Sequence, residues 1–149
     1  MTFSEETIQG LVKEHYGLNV TVKALNGYDE LNFLLSNEKN EKYILKVSNE
    51  SHPFPFLEAQ INIIQHLKKS NISDCFQHFS INKQGEELTK IIRDSKTYYI
   101  RILNFLEGTF WVDVKEKTSE LHHNLGSFLG SMDHALQDFS HPAMHRSYT

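Results

Sequence analysis

Cysteine is almost missing from this 149-residue chain: Cys75 stands alone, so no internal disulfide can form, which fits a reducing compartment. Proline and glycine are sparse, at three and seven residues, and no stretch reads as a long flexible linker. Positive charge is not in surplus either. Fifteen Lys and Arg face nineteen Asp and Glu, for a net charge of −4. A nucleic-acid-binding domain draws much of its affinity from neutralising phosphates, so nucleic acid is a poor candidate partner. No apolar run approaches the roughly 18 residues that cross a bilayer. The first nine residues carry Glu5 and Glu6 and no apolar core, so a secretory signal is not expected. The expectation is a cytoplasmic chain with no membrane partner.

What is present is ordinary for a globular domain: 39% apolar and 23% charged residues, in a length that can enclose one hydrophobic core. The periodicities predict a helix over Thr2 to Tyr16, with Ser4 as cap and Gly17 as stop. Strands are expected over Asn19 to Leu25, Leu31 to Ser36 and Tyr43 to Val47, with a polar hairpin tip at Asn37 to Asn40. Ser48 to Pro55 reads as a loop. Leu57, Ile61, Ile64 and Leu67 share one face of a helix over Phe56 to Lys69. After a loop over Ser70 to His78 and a short strand at Phe79 to Ile81, two more strands are expected at Leu88 to Arg93 and Thr97 to Leu103. The turn Asp94-Ser95-Lys96 joins them. Leu121, Leu125, Phe128, Met132, Leu136 and Phe139 mark a long helix over Thr118 to Phe139, stopped at His141-Pro142. Hairpins with one inserted helix make an antiparallel α+β layout rather than repeated βαβ units.

Three features sit where chemistry could use them. The turn from Gly27 to Asn32 joins the first two strands, and a glycine there lets backbone N–H groups approach an anion. Read without its context, it is a plain hairpin turn. Lys46 lies in the mostly apolar strand Tyr43-Ile44-Leu45-Lys46-Val47, where an ammonium needs a counter-charge or an outlet to water. Glu58 borders the apolar face of the next helix, within reach of a strand lysine, although a glutamate near a helix start is also favoured by the helix dipole. The nine histidines include His122-His123 and the pair His141 and His145, but Pro142 breaks a shared helical face and no metal set is expected. Phe110 and Trp111 read as packing residues.

The order of these features is the layout of a kinase N-lobe: glycine turn, lysine on the third strand, glutamate on the following helix. The chain resembles the aminoglycoside phosphotransferase and choline kinase superfamily, and within it the hydroxylysine-kinase or homoserine-kinase-type branch. That branch includes the kinase-like domain fused to class III aminotransferases. The resemblance rests on Gly27 to Phe33, on Tyr43 to Asn49, on Glu58-Ala59-Gln60 and on Arg101 to Gly108. It rests most specifically on Leu125 to Asp133 continuing through Phe139 to Arg146.

The resemblance implies a protein-kinase-like N-lobe with a five-stranded antiparallel sheet and an inserted helix. It assigns residues 1–108 to that lobe and its hinge, and 109–149 to a linker and the first helix of a second lobe. It implies that Lys46 contacts the phosphates of ATP, that Glu58 orients Lys46, and that the turn carrying Gly27 and Asn32 covers the phosphates. Asn104, Phe105 and Leu106 would present backbone groups to adenine. Kinases of this superfamily also need a catalytic His-x-Asp-x-x-x-x-Asn loop and a later aspartate, which hold magnesium and accept the hydroxyl proton. No His-x-Asp triplet occurs in these 149 residues, so no residue here is assigned a catalytic or metal-binding role. The expectation is the nucleotide-binding part of a small-molecule phosphotransferase, inactive without its C-terminal lobe. The alternative is a non-catalytic kinase-like domain of a larger fused protein. Self-association through the hinge or the last helix is a further expectation.

Overall fold

The computed structural model describes residues 3–49 and 51–145; Thr2 and Arg146, which the sequence reading drew on, lie outside them. The chain runs α1 (Glu5–Tyr16), β1 (Thr21–Leu25), β2 (Leu31–Ser36), β3 (Lys42–Val47), α2 (Phe54–Leu67), β4 (Phe79–Ser80), β5 (Thr89–Arg93), β6 (Lys96–Asn104) and α3 (Ser119–Leu136). It divides into two compact units, Met1–Pro53 with His78–Phe105, and Phe54–Gln77 with Leu106–Thr149.

The first unit is built on the antiparallel sheet. Strand order is β1-β2-β3-β6, and the far edge of β6 is shared by β4 and β5. Phe79 and Ser80 pair with Leu103 and Ile102, while Thr89 to Arg93 pair with Ile100 to Lys96. The sheet is therefore five positions wide, as expected, but six strands make it, because two short strands fill the fifth position end to end. The β5–β6 hairpin turns on two residues, Asp94 at φ 50° and Ser95 at φ 63°. Two positive φ angles match the turn to the right-handed twist of its strands. Lys96 accordingly belongs to the strand and not to the turn.

Alternation divides the sheet's two faces. Phe33, Leu35, Leu45, Val47, Ile100 and Ile102 point one way and pack with Ile8 and Val12 of α1. Ile8 and Val12 are fully buried, and each contributes about 1.5–3 kcal/mol from leaving water. Ser4 caps α1 by accepting the Thr7 N–H at 3.1 Å. Gly17 ends it at φ 72°, donating its N–H to the Lys13 carbonyl at 3.1 Å. The opposite face carries Asn32, Leu34, Ile44, Lys46, Arg101 and Leu103.

In the second unit α2 packs on α3. α2 begins two residues earlier than the periodicity suggests, at Phe54. Pro55 is tolerated there because the first turn of a helix has no intrahelical use for its N–H. Leu57, Ala59, Ile61 and Leu67 are its buried residues. α3 starts as expected, with Thr118 accepting the Leu121 N–H at 3.1 Å, but it stops at Leu136 instead of Phe139. The last turn tightens there, the Gln137 N–H donating to the His134 carbonyl. His66 ties the two helices together: its Nε2 lies 2.8 Å from the Ala135 carbonyl and 2.9 Å from Asp138 Oδ1. No helix among the described residues is long and apolar enough to cross a membrane.

Candidate functional site

Register places the candidate residues before any side chain is considered. Asn32 on β2 is the Cα partner of Lys46 on β3, and Lys46 is the partner of Arg101 on β6. The three form one row across the middle of the sheet. Since side chains of paired residues project to the same face, an amide, an ammonium and a guanidinium stand side by side. Two like charges directly opposite one another are destabilising unless an anion joins them.

That anion is Glu30, from the turn between β1 and β2. Arg101 Nη2 donates to both of its carboxylate oxygens, at 2.8 and 3.1 Å. Lys46 Nζ lies 3.5 Å from Oε2, and His52 Nδ1 lies 4.0 Å from Oε1. The Arg101 side chain is 4% exposed, Glu30 13% and Lys46 30%. Burial thus deepens from lysine to arginine, and the lysine is the cation that solvent and ligands can reach. Lys46 and Arg101 both meet the Glu30 carboxylate.

The turn itself is tightly built. A Cβ on Gly27 would collide with the Glu30 carbonyl oxygen and come within 2.6 Å of Asn32 Nδ2. Glycine is required here by space, because the turn folds back on its own backbone. Asn32 Nδ2 donates to the Glu30 carbonyl at 3.5 Å, and Asn49 Nδ2 donates to the Asp29 carbonyl. Asn32 Oδ1 is buried with no hydrogen-bond partner among the described residues, so the row holds an acceptor that nothing in the protein satisfies.

Lys46, Gly27 and Asn32 are therefore brought together. Within the first unit Lys46 Nζ has Glu30 as a carboxylate partner. Within the second unit Glu58 Oε2 lies 3.3 Å from His141 Nε2. At the hinge, the Asn104 N–H donates to the His78 carbonyl at 3.1 Å and the Phe105 N–H to the Lys42 carbonyl at 3.2 Å. Asn104 Oδ1 accepts the His78 N–H at 2.6 Å. Both backbone donors are engaged within the sheet. Leu106, the third hinge residue, is exposed.

Glu30 and Arg101 are the site residues that reading the sequence missed. Arg101 carried the same signal as Lys46, a cation inside the apolar strand Tyr98-Tyr99-Ile100-Arg101-Ile102-Leu103. Each unit also has an open concavity of its own. One of about 910 Å³ lies between α2 and α3 and is lined by His66, Ser127 and Asp138. One of about 530 Å³ lies beside α1 and is lined by Gln9, Lys13 and Glu38. Neither is lined by residues of the charged row.

No family model matches the chain, and no curated protein matches it. Solved structures do. A microcompartment-associated aminopropanol kinase superposes with a TM-score of 0.71 at 17% identity, over 97% of this chain and 44% of that one. The amicoumacin kinase hAmiN, in complex with AMP-PNP, Ca2+ and Ami, superposes with a TM-score of 0.76 at 16% identity, over 94% of this chain and 42% of that one. The fold is that of a protein-kinase-like N-lobe, and its structural neighbours are small-molecule kinases. The chain spans less than half the length of either kinase.

Proposed function

We propose that this chain is the nucleotide-binding part of an ATP-dependent phosphotransferase whose acceptor is the hydroxyl of an amino alcohol, an amino acid or an aminoglycoside. One observation carries the reading: Lys46 and Arg101 stand paired across the sheet with the Glu30 carboxylate between them, beside a turn too tight for a Cβ. A partly exposed ammonium on a strand next to close-approaching backbone fits a polyphosphate. Support also comes from the neighbours, of which one was solved with AMP-PNP. In this reading Lys46 meets the phosphates, Gly27 and Asn32 cover them, and the hinge over Asn104, Phe105 and Leu106 faces adenine. Residues 1–108 are then the lobe and hinge, and 109–149 the linker and first helix of a second lobe. Bound ATP would supply the phosphoryl group, and the missing lobe would supply magnesium ligands and the base.

The test is a titration of the 149-residue chain with a fluorescent ATP analogue in magnesium. Weak saturable binding is expected, displaced by ADP and reduced about tenfold in Lys46→Ala, as loss of a charge-assisted phosphate contact would give. Unchanged affinity in that variant removes Lys46 from the site. Phosphotransfer to a panel of amino alcohols should stay at blank level, and measurable turnover would contradict the assignment of catalysis to the missing lobe.

A further inference from the structure

We infer that His141 is the positioning residue for Glu58, holding one carboxylate oxygen through a ring proton whose place on the imidazole is set by the adjoining turn. Both residues belong to the second unit, and the pairing rests on geometry within it. What the carboxylate does for a nucleotide rests on the reading proposed above. His141 caps a single 3-10 turn, Pro142–Met144. The Ala143 N–H donates to its Nδ1 at 3.1 Å. A backbone amide can only donate, so Nδ1 carries no proton, and the neutral ring has its proton on Nε2. Nε2 is the atom that lies 3.3 Å from Glu58 Oε2. An ionised carboxylate can only accept. The turn thus selects the one neutral tautomer that Glu58 can use.

Each end of the contact is held independently of the other. Pro142 fixes the backbone that follows the ring, and the Met144 N–H closes the turn on the His141 carbonyl at 3.0 Å. The His141 side chain is 12% exposed, so the ring sits in a packed site. Glu58 rides on α2 between Leu57 and Ala59, both buried. Its own side chain is 46% exposed, and without a partner it would sample several rotamers. Among the described residues of the second unit, Glu58 Oε1 makes no hydrogen bond. His141 therefore fixes one oxygen and leaves the other to face a cation. The resemblance implies that Glu58 orients Lys46, and a carboxylate can orient an ammonium only if it is itself held. This gives a use to His141-Pro142, which in the sequence reads only as a helix stop.

The test uses the whole chain and compares two variants. His141→Asn keeps a side-chain oxygen that can accept the Ala143 N–H, as Asn does in turns, but has no donor reaching Glu58. His141→Gln keeps an N–H near the position of Nε2. Carbodiimide-driven coupling of glycine ethyl ester labels carboxylates, and peptide mass spectrometry reads each one. Glu58 should label about threefold faster in His141→Asn than in wild type, relative to the other carboxylates, as loss of one part-exposed hydrogen bond would give. In His141→Gln it should label close to the wild-type rate. Unchanged labelling in His141→Asn, or an equal rise in both variants, overturns the inference. Should His141→Asn fail to fold, NMR of the wild-type imidazole decides, at about pH 8, above the ordinary range of histidine titration. The proton should sit on Nε2 and exchange with water about threefold more slowly than in Glu58→Ala. A proton on Nδ1, or equal exchange, overturns it. Affinity for the fluorescent ATP analogue is scored apart. Labelling that follows His141 while analogue affinity does not keeps the pairing and ends Glu58's part in nucleotide binding. A wild-type chain that binds no analogue ends the nucleotide reading itself, and labelling still decides the pairing.

Discussion

Lys46 and Arg101 are directly opposed on neighbouring strands, and one glutamate serves both. The pair would repel if left to itself, so the fold contains a local conflict that a turn residue resolves. Such conflicts concentrate where a protein holds charge in place for use.

The resolution has a measurable energy. Glu30→Ala leaves Arg101 buried without its carboxylate and should cost about 3 kcal/mol in urea unfolding. Replacing both, with Glu30→Leu and Arg101→Met, should recover most of that loss, since an apolar pair of similar size often matches a buried ion pair. A double-mutant cycle with no coupling between the two positions would show that the salt bridge is incidental to stability.

Gly27→Ala makes a different prediction. The added methyl meets a backbone carbonyl, which cannot swing aside as a flexible side chain could. The turn must open, at a cost of about 1–3 kcal/mol, and Glu30 must shift with it. Lys46 acetylation should rise in this variant. A Gly27→Ala protein with wild-type stability and wild-type Lys46 reactivity would show that the turn is looser than its packing indicates.

Tyr16 gives the protein an alkaline limit. Burial raises its phenol pKa above 10.0, with a hydrogen bond from Thr89 Oγ1 at 3.1 Å opposing the rise only in part. Below about pH 10 folded and unfolded chains both keep the proton, and this residue adds no pH dependence. Above it the unfolded chain ionises first and binds fewer protons than the folded one. Stability therefore falls with rising pH until the folded phenol titrates too. Tyr16→Phe should flatten that slope relative to wild type between about pH 9 and pH 11. Parallel curves for the two proteins would mean that other groups set the limit.

His66 should matter for the end of α3. Its ring bridges a backbone carbonyl and Asp138, and His66→Ala removes both contacts. We expect a loss of about 1–2 kcal/mol, with amide exchange rising first around residues 135–139. Uniform exchange across both helices would place the effect elsewhere.

The elements themselves were largely legible. The strand containing Lys46 was placed to within one residue, because a short, mostly apolar run that follows a polar hairpin tip is a strand signal. The caps Ser4 and Gly17 were legible because each residue answers a local backbone need. Errors fell at ends. Phe54 and Pro55 joined α2 because proline is allowed in a first turn, and β4 with β5 made one sheet position from two strands because β6 is long enough to pair with both.

The site divides along the same line. Lys46 and Gly27 could be picked out from the chain alone, since a cation in an apolar strand and a glycine in a turn are anomalies against their own neighbours. Glu30 could not, because a glutamate in a polar turn is unremarkable until the strand register is known. Which carboxylate meets Lys46 depends on how β2, β3 and β6 align and on where the turn falls over them. Those are relations between residues up to 71 positions apart. Local patterns carry what each segment needs, an apolar face or a cap or a tight turn. Only the assembled sheet decides which charges come within a few ångströms of each other, because ion pairing falls off with distance in space and takes no account of distance along the chain.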